Sequence, residues 1–482
     1  MRIAQIGLIS SHTYKSVLKV PINLWLIGAF MILIFIALGS SYLSNLYHQH
    51  NVDHYGQEVR DRWENNPDKH PHRMAHYGYV AFRTKYPLSF FDNGIDSYLG
   101  NAVFLEAHRQ NSVNFSQACL SSGLLKFGEL STGLLLQFLL PLLIFFWGYA
   151  SISGEREKGV LKLFLTQGAS WQEVILGKSL GISLVSLFIL LPAFVITFIL
   201  LICYPQTLSI TLITISLLCL LGCYVAYIFI LSFIAVWVSA RSSSSKASLI
   251  KLIGFWLLFT LIIPKTSQVA GQIFYPTPSK IEFEKIVEDE LIKQGDSHNP
   301  DDPHYNAMKD SLLLAHGVSS TKELPFNYSG YIMKEGEKLS TETYRKHKDD
   351  LMSLYQKQSQ VVLYSAVLNP YIAIKHISMV LSGTDFESYQ MFNEAAENYR
   401  YSLAQTMNDL QIEQISNTVK SSADKNAVIS QQNWIDFPAF KHDFLSFKKM
   451  IKSTILSIGA LAIWLIIVVL LTVYFSKNLK AI

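Results

Sequence analysis

Charge is what this chain has least of. Only 16% of its 482 residues are Asp, Glu, Lys or Arg, against roughly 25% in ordinary soluble domains. The shortage is concentrated: no charged residue occurs in Val20–Tyr47, Ser131–Gly154, Ser179–Ala240 or Thr454–Ser476. That excludes a chain folded wholly in water. Cysteine is scarce as well. Four cysteines supply no disulfide framework. Cys203, Cys219 and Cys223 lie in or beside apolar runs, where they read as small packing residues, and Cys119 stands alone in the polar segments. A net charge of +4 without a basic run gives no electrostatic footprint for a nucleic acid, so no such partner is expected. Sustained strand alternation and internal repeats are missing too, which leaves helix as the expected structure.

What is present is oil in span-sized portions. A helix needs about 20 apolar residues to cross a bilayer. The runs therefore predict an all-α integral membrane protein with six transmembrane helices, at 21–47, 131–152, 179–203, 207–238, 247–265 and 453–476. The third and fourth are split by the turn-like "CYPQTL" at 203–208. The first run is too long for a signal-peptide core, and "SYLSNLYHQH" offers no small-residue cleavage site, so it reads as a retained anchor. Basic residues set the orientation. Arg2, Lys15 and Lys19 precede the first run, Arg241 and Lys246 follow the fourth, and Lys477 and Lys480 end the chain. Both termini are expected in the cytoplasm, with residues 1–20 as an amphipathic helix there. Segments 48–130 and 266–452 then lie outside as a mainly helical cap. "SKIEFEKIVEDELIKQG" repeats its apolar residues at helical spacing and stops at Gly295. "DFESYQMFNEAAENYRYSLAQTMNDLQIEQI" keeps that period throughout.

One polar interruption stands out: residues 153–178, "SGEREKGVLKLFLTQGASWQEVILGK". Four charges precede Leu161, Leu163, Phe164 and Leu165, an interfacial pattern. Then "SWQE" spells a capping box, with Ser170 as the cap and Glu173 reaching back. The stretch reads as a helical elbow bent at "TQGAS" and running into the third span. A plain connecting loop that obeys interfacial rules would look the same.

This stretch resembles the permease subunits of ABC-2-type transporters, through Gly154, Glu155, Arg156, Glu157, Gly159, Gln167, Gly168, Ser170 and Glu173. The resemblance implies that these residues form a coupling segment docking on a separate ATP-hydrolysing subunit, which carries ATP and magnesium. It further implies a second permease chain, identical or a sister, and residence in the inner (cytoplasmic) membrane of a bacterium. "PDKHPHRMAHYGYVAF", "LSFFDNGIDSYLG", "FLEAHRQN", "YPTPSKIEFE", "LPFNYSG", "SMVLSGTDF" and "FNEAAENYR" are similar to a branch with large outer segments, often labelled as acting in multi-copper enzyme maturation. The expected function is export driven by ATP. The alternative is a mechanotransmission or scaffold protein acting on an extracytoplasmic partner without translocating cargo.

Other chemistry is sparse. "GKS" at Gly177–Ser179 is not a phosphate loop, because the required first glycine position is Gln172 and the triplet opens an apolar run. The chain itself is not expected to be an enzyme. Histidines crowd the first outer segment, and "HPHRMAH" sets His70, His72 and His76 at spacings able to hold copper or zinc, or equally to fix a turn. Glu106 and His108 of "LEAHRQ" read as hydrogen-bonding groups of the outer fold. The apolar runs hold no buried charge of the kind ion-coupled transporters use. Their aromatics (Phe145, Phe146, Trp147, Tyr224, Tyr227, Phe229) fit either a substrate path or ordinary packing.

Overall fold

A computed structural model describes residues 2–111, 130–205, 208–295, 297, 299, 301–417 and 427–475. Cys119, Lys477 and Lys480 lie outside them, as do two residues of the "CYPQTL" turn. Six helices are long and apolar enough to cross a membrane: Pro21–Glu64, Thr132–Glu157, Trp171–Cys203, Ile210–Ala240, Ser245–Phe274 and Phe447–Tyr474. They are called the first to sixth apolar helices below. The N-terminal helix Ile3–Lys19 lies across the start of the third.

Two apolar helices contain a π-turn, Leu135–Leu139 in the second and Leu258–Ile262 in the fifth. A π-turn disturbs the helical ladder, and carbonyls released in an apolar layer need other donors. They have them. The Trp256 indole N–H donates to Phe138 O at 2.9 Å, and the Tyr227 hydroxyl to Gln137 O at 3.2 Å. The Asn369 amide donates to Phe259 O at 2.7 Å.

Asn369 caps an element that the sequence reading placed elsewhere. Helix Pro370–Leu381 packs against the fourth and sixth apolar helices and belongs to their hydrophobic core. His376 Nδ1 meets Ser457 Oγ of the sixth helix at 3.0 Å. Leu88, Phe90 and Phe91 enter the same core from the first polar segment. Beside them the Asp92 carboxylate accepts from the Gln137 amide at 2.9 Å and from the Ser378 hydroxyl, and that amide also donates to the Tyr224 hydroxyl at 2.7 Å. The segments 48–130 and 266–452, read from the sequence as an outer cap, thus also contribute residues to the core of the bundle. "PYIAIKHISMVL" has only 12 residues, too few to register as a span of about 20, yet it is apolar enough to be drawn into the bundle.

Above the bundle lies a cap. The first apolar helix continues to Glu64 and forms one wall of it. Trp63, Met74, Tyr79, Leu403, Met407 and Trp434 make its hydrophobic centre, with the Trp63 indole donating to Trp434 O at 3.0 Å. Helices Tyr328–Tyr364 and Phe386–Gln414 pack side by side. The second of these, and Lys280–Gln294 ended by Gly295 at φ 92°, follow the periodicity of the sequence. A small antiparallel ribbon, β1 (Tyr79–Phe82) and β2 (Ala102–Leu105), pairs Tyr79 with Leu105 and Phe82 with Ala102. No strand was expected, because four-residue strands are too short to show alternation.

Candidate functional site

The elbow is two short helices, Ser153–Glu157 and Val160–Thr166, followed by the third apolar helix from Trp171. Gly159 and Gly168 make the bends with φ of 74° and 89°, a region that costs other residues strain. The capping box forms. Ser170 Oγ accepts from Glu173 N at 3.3 Å, and Glu173 Oε2 accepts from Ser170 N at 2.9 Å.

Each charge of "EREK" before Lys158 is spent on a different helix. Glu155 takes the ammonium of the buried Lys178 at 2.6 Å, on the third apolar helix, and Lys178 also donates to Ser151 O at 2.8 Å. Arg156 donates to Ala240 O and Ser242 O, both at 2.7 Å, where the fourth apolar helix ends. Glu157 accepts from Ser245 N at 2.8 Å and Ser245 Oγ at 2.7 Å, where the fifth begins. A cation at a helix C-terminus and an anion at an N-terminus both complement the helix dipole. The backbone N–H groups of Ile152 and Ser153, exposed by the break before the elbow, donate to Ser239 Oγ at 3.1 and 3.0 Å. Gly154 sits among these contacts; a Cβ added there would fall 3.4 Å from Ser245 Oγ.

Glu173 reaches further. It is only 2% exposed, and its Oε1 accepts the backbone N–H of Arg2 at 2.6 Å, while the Arg2 guanidinium donates to Gly168 O and lies 3.4 Å from Glu173 Oε2. The N-terminal helix is thereby pinned to the elbow. Gly177 and Gly181 complete that joint. A Cβ at 177 would fall 2.7 Å from Ile9 Cβ, and one at 181 would fall 2.6 Å from Thr13 Cβ. "GKSLG" is a small-xxx-small packing face, which explains the glycine that mimicked a phosphate loop. Sequence reasoning missed this role, although the spacing was there to read. Gln167 and the outer side of Val160–Thr166 face away from the bundle, with Leu163 60% exposed.

The histidines divide. His70 is buried and serves as the N-cap of helix Pro71–Tyr77, its Nδ1 accepting from His72 N at 3.1 Å. His72 and His76 lie one turn apart on that helix and meet His108; a nitrogen from each of the three falls within 4.8 Å of the others. His108 comes from just past β2, and its partner Glu337 comes from the cap helix Tyr328–Tyr364. Glu337 accepts from His108 N and from its ring Nδ1, both at 2.9 Å, and is itself held by Arg400 at 2.6 Å. Burial alone would raise the Glu337 carboxyl, but the His108 bond and the Arg400 charge outweigh it and hold it down at about 2. Glu106 makes an isolated backbone β-bridge with Arg109, its carboxylate accepts from the Asn111 amide at 3.3 Å, and its carbonyl accepts from Arg400 at 3.4 Å.

Residues 280–443 match a family described as a domain of unknown function, DUF3526. The matched region contains Glu337 and Arg400, the inserted helix and most of the cap, but not the elbow or the three clustered histidines. No curated protein matches the chain.

Proposed function

We propose that the chain is the membrane-spanning subunit of an ATP-driven ABC-2-type exporter, and that residues 153–178 are its contact with a separate ATPase. The observation that carries this reading is the wiring of the elbow. A push on Val160–Thr166 passes through Glu155 to the third apolar helix, through Arg156 to the fourth and through Glu157 to the fifth. The exposed Leu163 gives an ATPase groove something apolar to hold. Arg2, Arg241 and Lys246 lie beside the elbow at one end of the bundle, which supports a cytoplasmic elbow and an extracytoplasmic cap by the positive-inside rule. ATP and magnesium belong to the partner, and a second permease chain completes the unit in a bacterial inner membrane. Leu163→Asp tests the contact without touching the fold. It should abolish copurification with the cognate ABC ATPase and remove stimulation of its ATP hydrolysis. Unchanged association and stimulation would refute the role.

A specific observation favours a second reading, that the motion acts on an extracytoplasmic partner without moving cargo. Helix Pro370–Leu381 and Phe90–Asp92 fill the bundle near the cap, and Asp92 ties Gln137, Ser378 and, through Gln137, Tyr224 together. Such a joint passes movement from bundle to cap directly. Spin-label distances between the exposed position 246, at the start of the fifth apolar helix, and the cap, with and without ATP on the assembled complex, separate the readings. Cap displacement without any flux from loaded vesicles favours transmission; flux favours export.

A further inference from the structure

We propose that His72, His76 and His108 bind one divalent transition-metal ion of the zinc–copper(II) class on the face of the cap. The proposal is independent of the ATPase reading. Three neutral imidazoles with a position open to solvent are a donor set suited to Zn2+ or Cu2+. Here the three rings arrive from two separate elements. His72 and His76 project from the same side of Pro71–Tyr77, which His70 caps and Pro71 starts. His108 is brought to them by the bond of Ala107 N to Ala75 O at 3.3 Å.

Two features go beyond chance crowding. His108 has φ 62°, and it alone among the described non-glycine residues takes a positive φ. Such a conformation costs on the order of 1 kcal/mol and persists where surroundings enforce it. What enforces it is Glu337, which accepts both the backbone N–H and the ring Nδ1. Glu337 is fully buried and clamped by Arg400, which also bonds Thr341 and Glu397 at 2.8 Å each. Metal-ligating histidines commonly give their second ring nitrogen to a carboxylate, which fixes tautomer and ring angle. With Nδ1 engaged, Nε2 is the atom His108 offers. A tetrahedral ion at about 2.0–2.1 Å from each nitrogen needs them about 3.3 Å apart. The nitrogens lie within 4.8 Å of one another, so a rotation of the exposed His76 side chain is enough to close on an ion. Glu337 and Arg400 are positioning residues in this scheme.

The test uses full-length chain purified in detergent without a polyhistidine tag, stripped with chelator and titrated separately with ZnCl2 and CuSO4. We expect one ion per chain with micromolar or tighter affinity, and a Cu2+ electron paramagnetic resonance spectrum showing imidazole nitrogen coupling. His76→Asn, at an exposed position, should weaken binding at least 100-fold while leaving the thermal midpoint of the apo chain unchanged. His54→Asn, which alters the stacked His50–His54 pair elsewhere on the first apolar helix, should leave binding unchanged. Glu337→Asp should weaken affinity roughly 10- to 100-fold without changing stoichiometry. The proposal is overturned if wild-type chain binds neither metal, or if His76→Asn and a His72→Asn/His108→Asn variant both retain the wild-type stoichiometry and spectrum.

Discussion

Placing leucine at Gly177 and Gly181 should detach the N-terminal helix from the bundle. Carbon atoms in contact settle at about 3.5–4.0 Å, whereas a Cβ at these positions would stand 2.7 Å from Ile9 Cβ and 2.6 Å from Thr13 Cβ. The helix must retreat by about 1 Å for a methyl and further for a leucine. Overpacking of this kind costs about 1–3 kcal/mol per site, so the pair costs about 2–6 kcal/mol. The apolar part of the docking it opposes rests on Ile6 and Val17, both buried, at about 1.5–3 kcal/mol each, beside the Arg2 contacts to Gly168 and Glu173. The two totals are comparable, so the undocked helix should become substantially populated. Limited trypsinolysis of the full chain in detergent reads this directly, at Lys15 and Lys19. Cleavage of a segment that opens and closes rapidly follows its open population, and a loss of about 3 kcal/mol raises that population more than 100-fold. Gly222→Leu is the control, since a Cβ there meets nothing within 4 Å. If the double-leucine chain is cut no faster than wild type, the packing argument is wrong.

Lys178→Met removes an ammonium held by Glu155 and Ser151 O, and we expect a loss of up to about 3 kcal/mol from a pair this enclosed. Adding Glu155→Gln should restore part of it, and a purely additive double-mutant cycle from thermal midpoints would contradict the pairing. Asp385 caps helix Phe386–Gln414, and burial raises its carboxyl from 3.8 to about 6. Its folded value lies above its unfolded one, so protonation stabilises the fold as pH drops from about 6 toward 4, and ionisation opposes it above. Asp385→Asn should raise stability at pH 7.5 by up to about 3 kcal/mol and flatten the melting profile across that window; an unaltered profile would rule this out. Asn can keep the cap, because the Ser388 hydroxyl that now donates can turn to accept. Trp434→Ala empties the centre of the cap beside Trp63 and should cost about 3–5 kcal/mol, seen as a lowered cap transition by hydrogen exchange at 399–410.

Local features were legible because their causes are local. The Ser170–Glu173 box needs residues three apart on one turn, and it forms as the spelling requires. Lys280–Gln294 and Phe386–Gln414 follow from apolar periodicity, the first with Gly295 as its stop. Glu155, Arg156 and Glu157 stood out as charges in an oily chain, but nothing near them names Lys178, Ala240 or Ser245 as partners. His108 was read as an ordinary hydrogen-bonding residue because the histidines it joins lie more than thirty positions back, across a ribbon too short to foresee. Gly177 and Gly181 were visible at helix spacing, yet only the arrival of Ile9 and Thr13 says what that bare face is for.

By itself, then, the sequence determined six membrane-length apolar helices, the capped start of the third and the helical character of most of the cap, since hydropathy and 3.6-residue periodicity are set by near neighbours. Tertiary structure alone decided that Pro370–Leu381 sinks into the bundle, that the elbow grips three helices and the N-terminus, and that His108 joins His72 and His76. Those outcomes depend on pairings across tens to hundreds of residues. There the competition between burying an apolar surface and satisfying each buried polar group is settled by the whole fold.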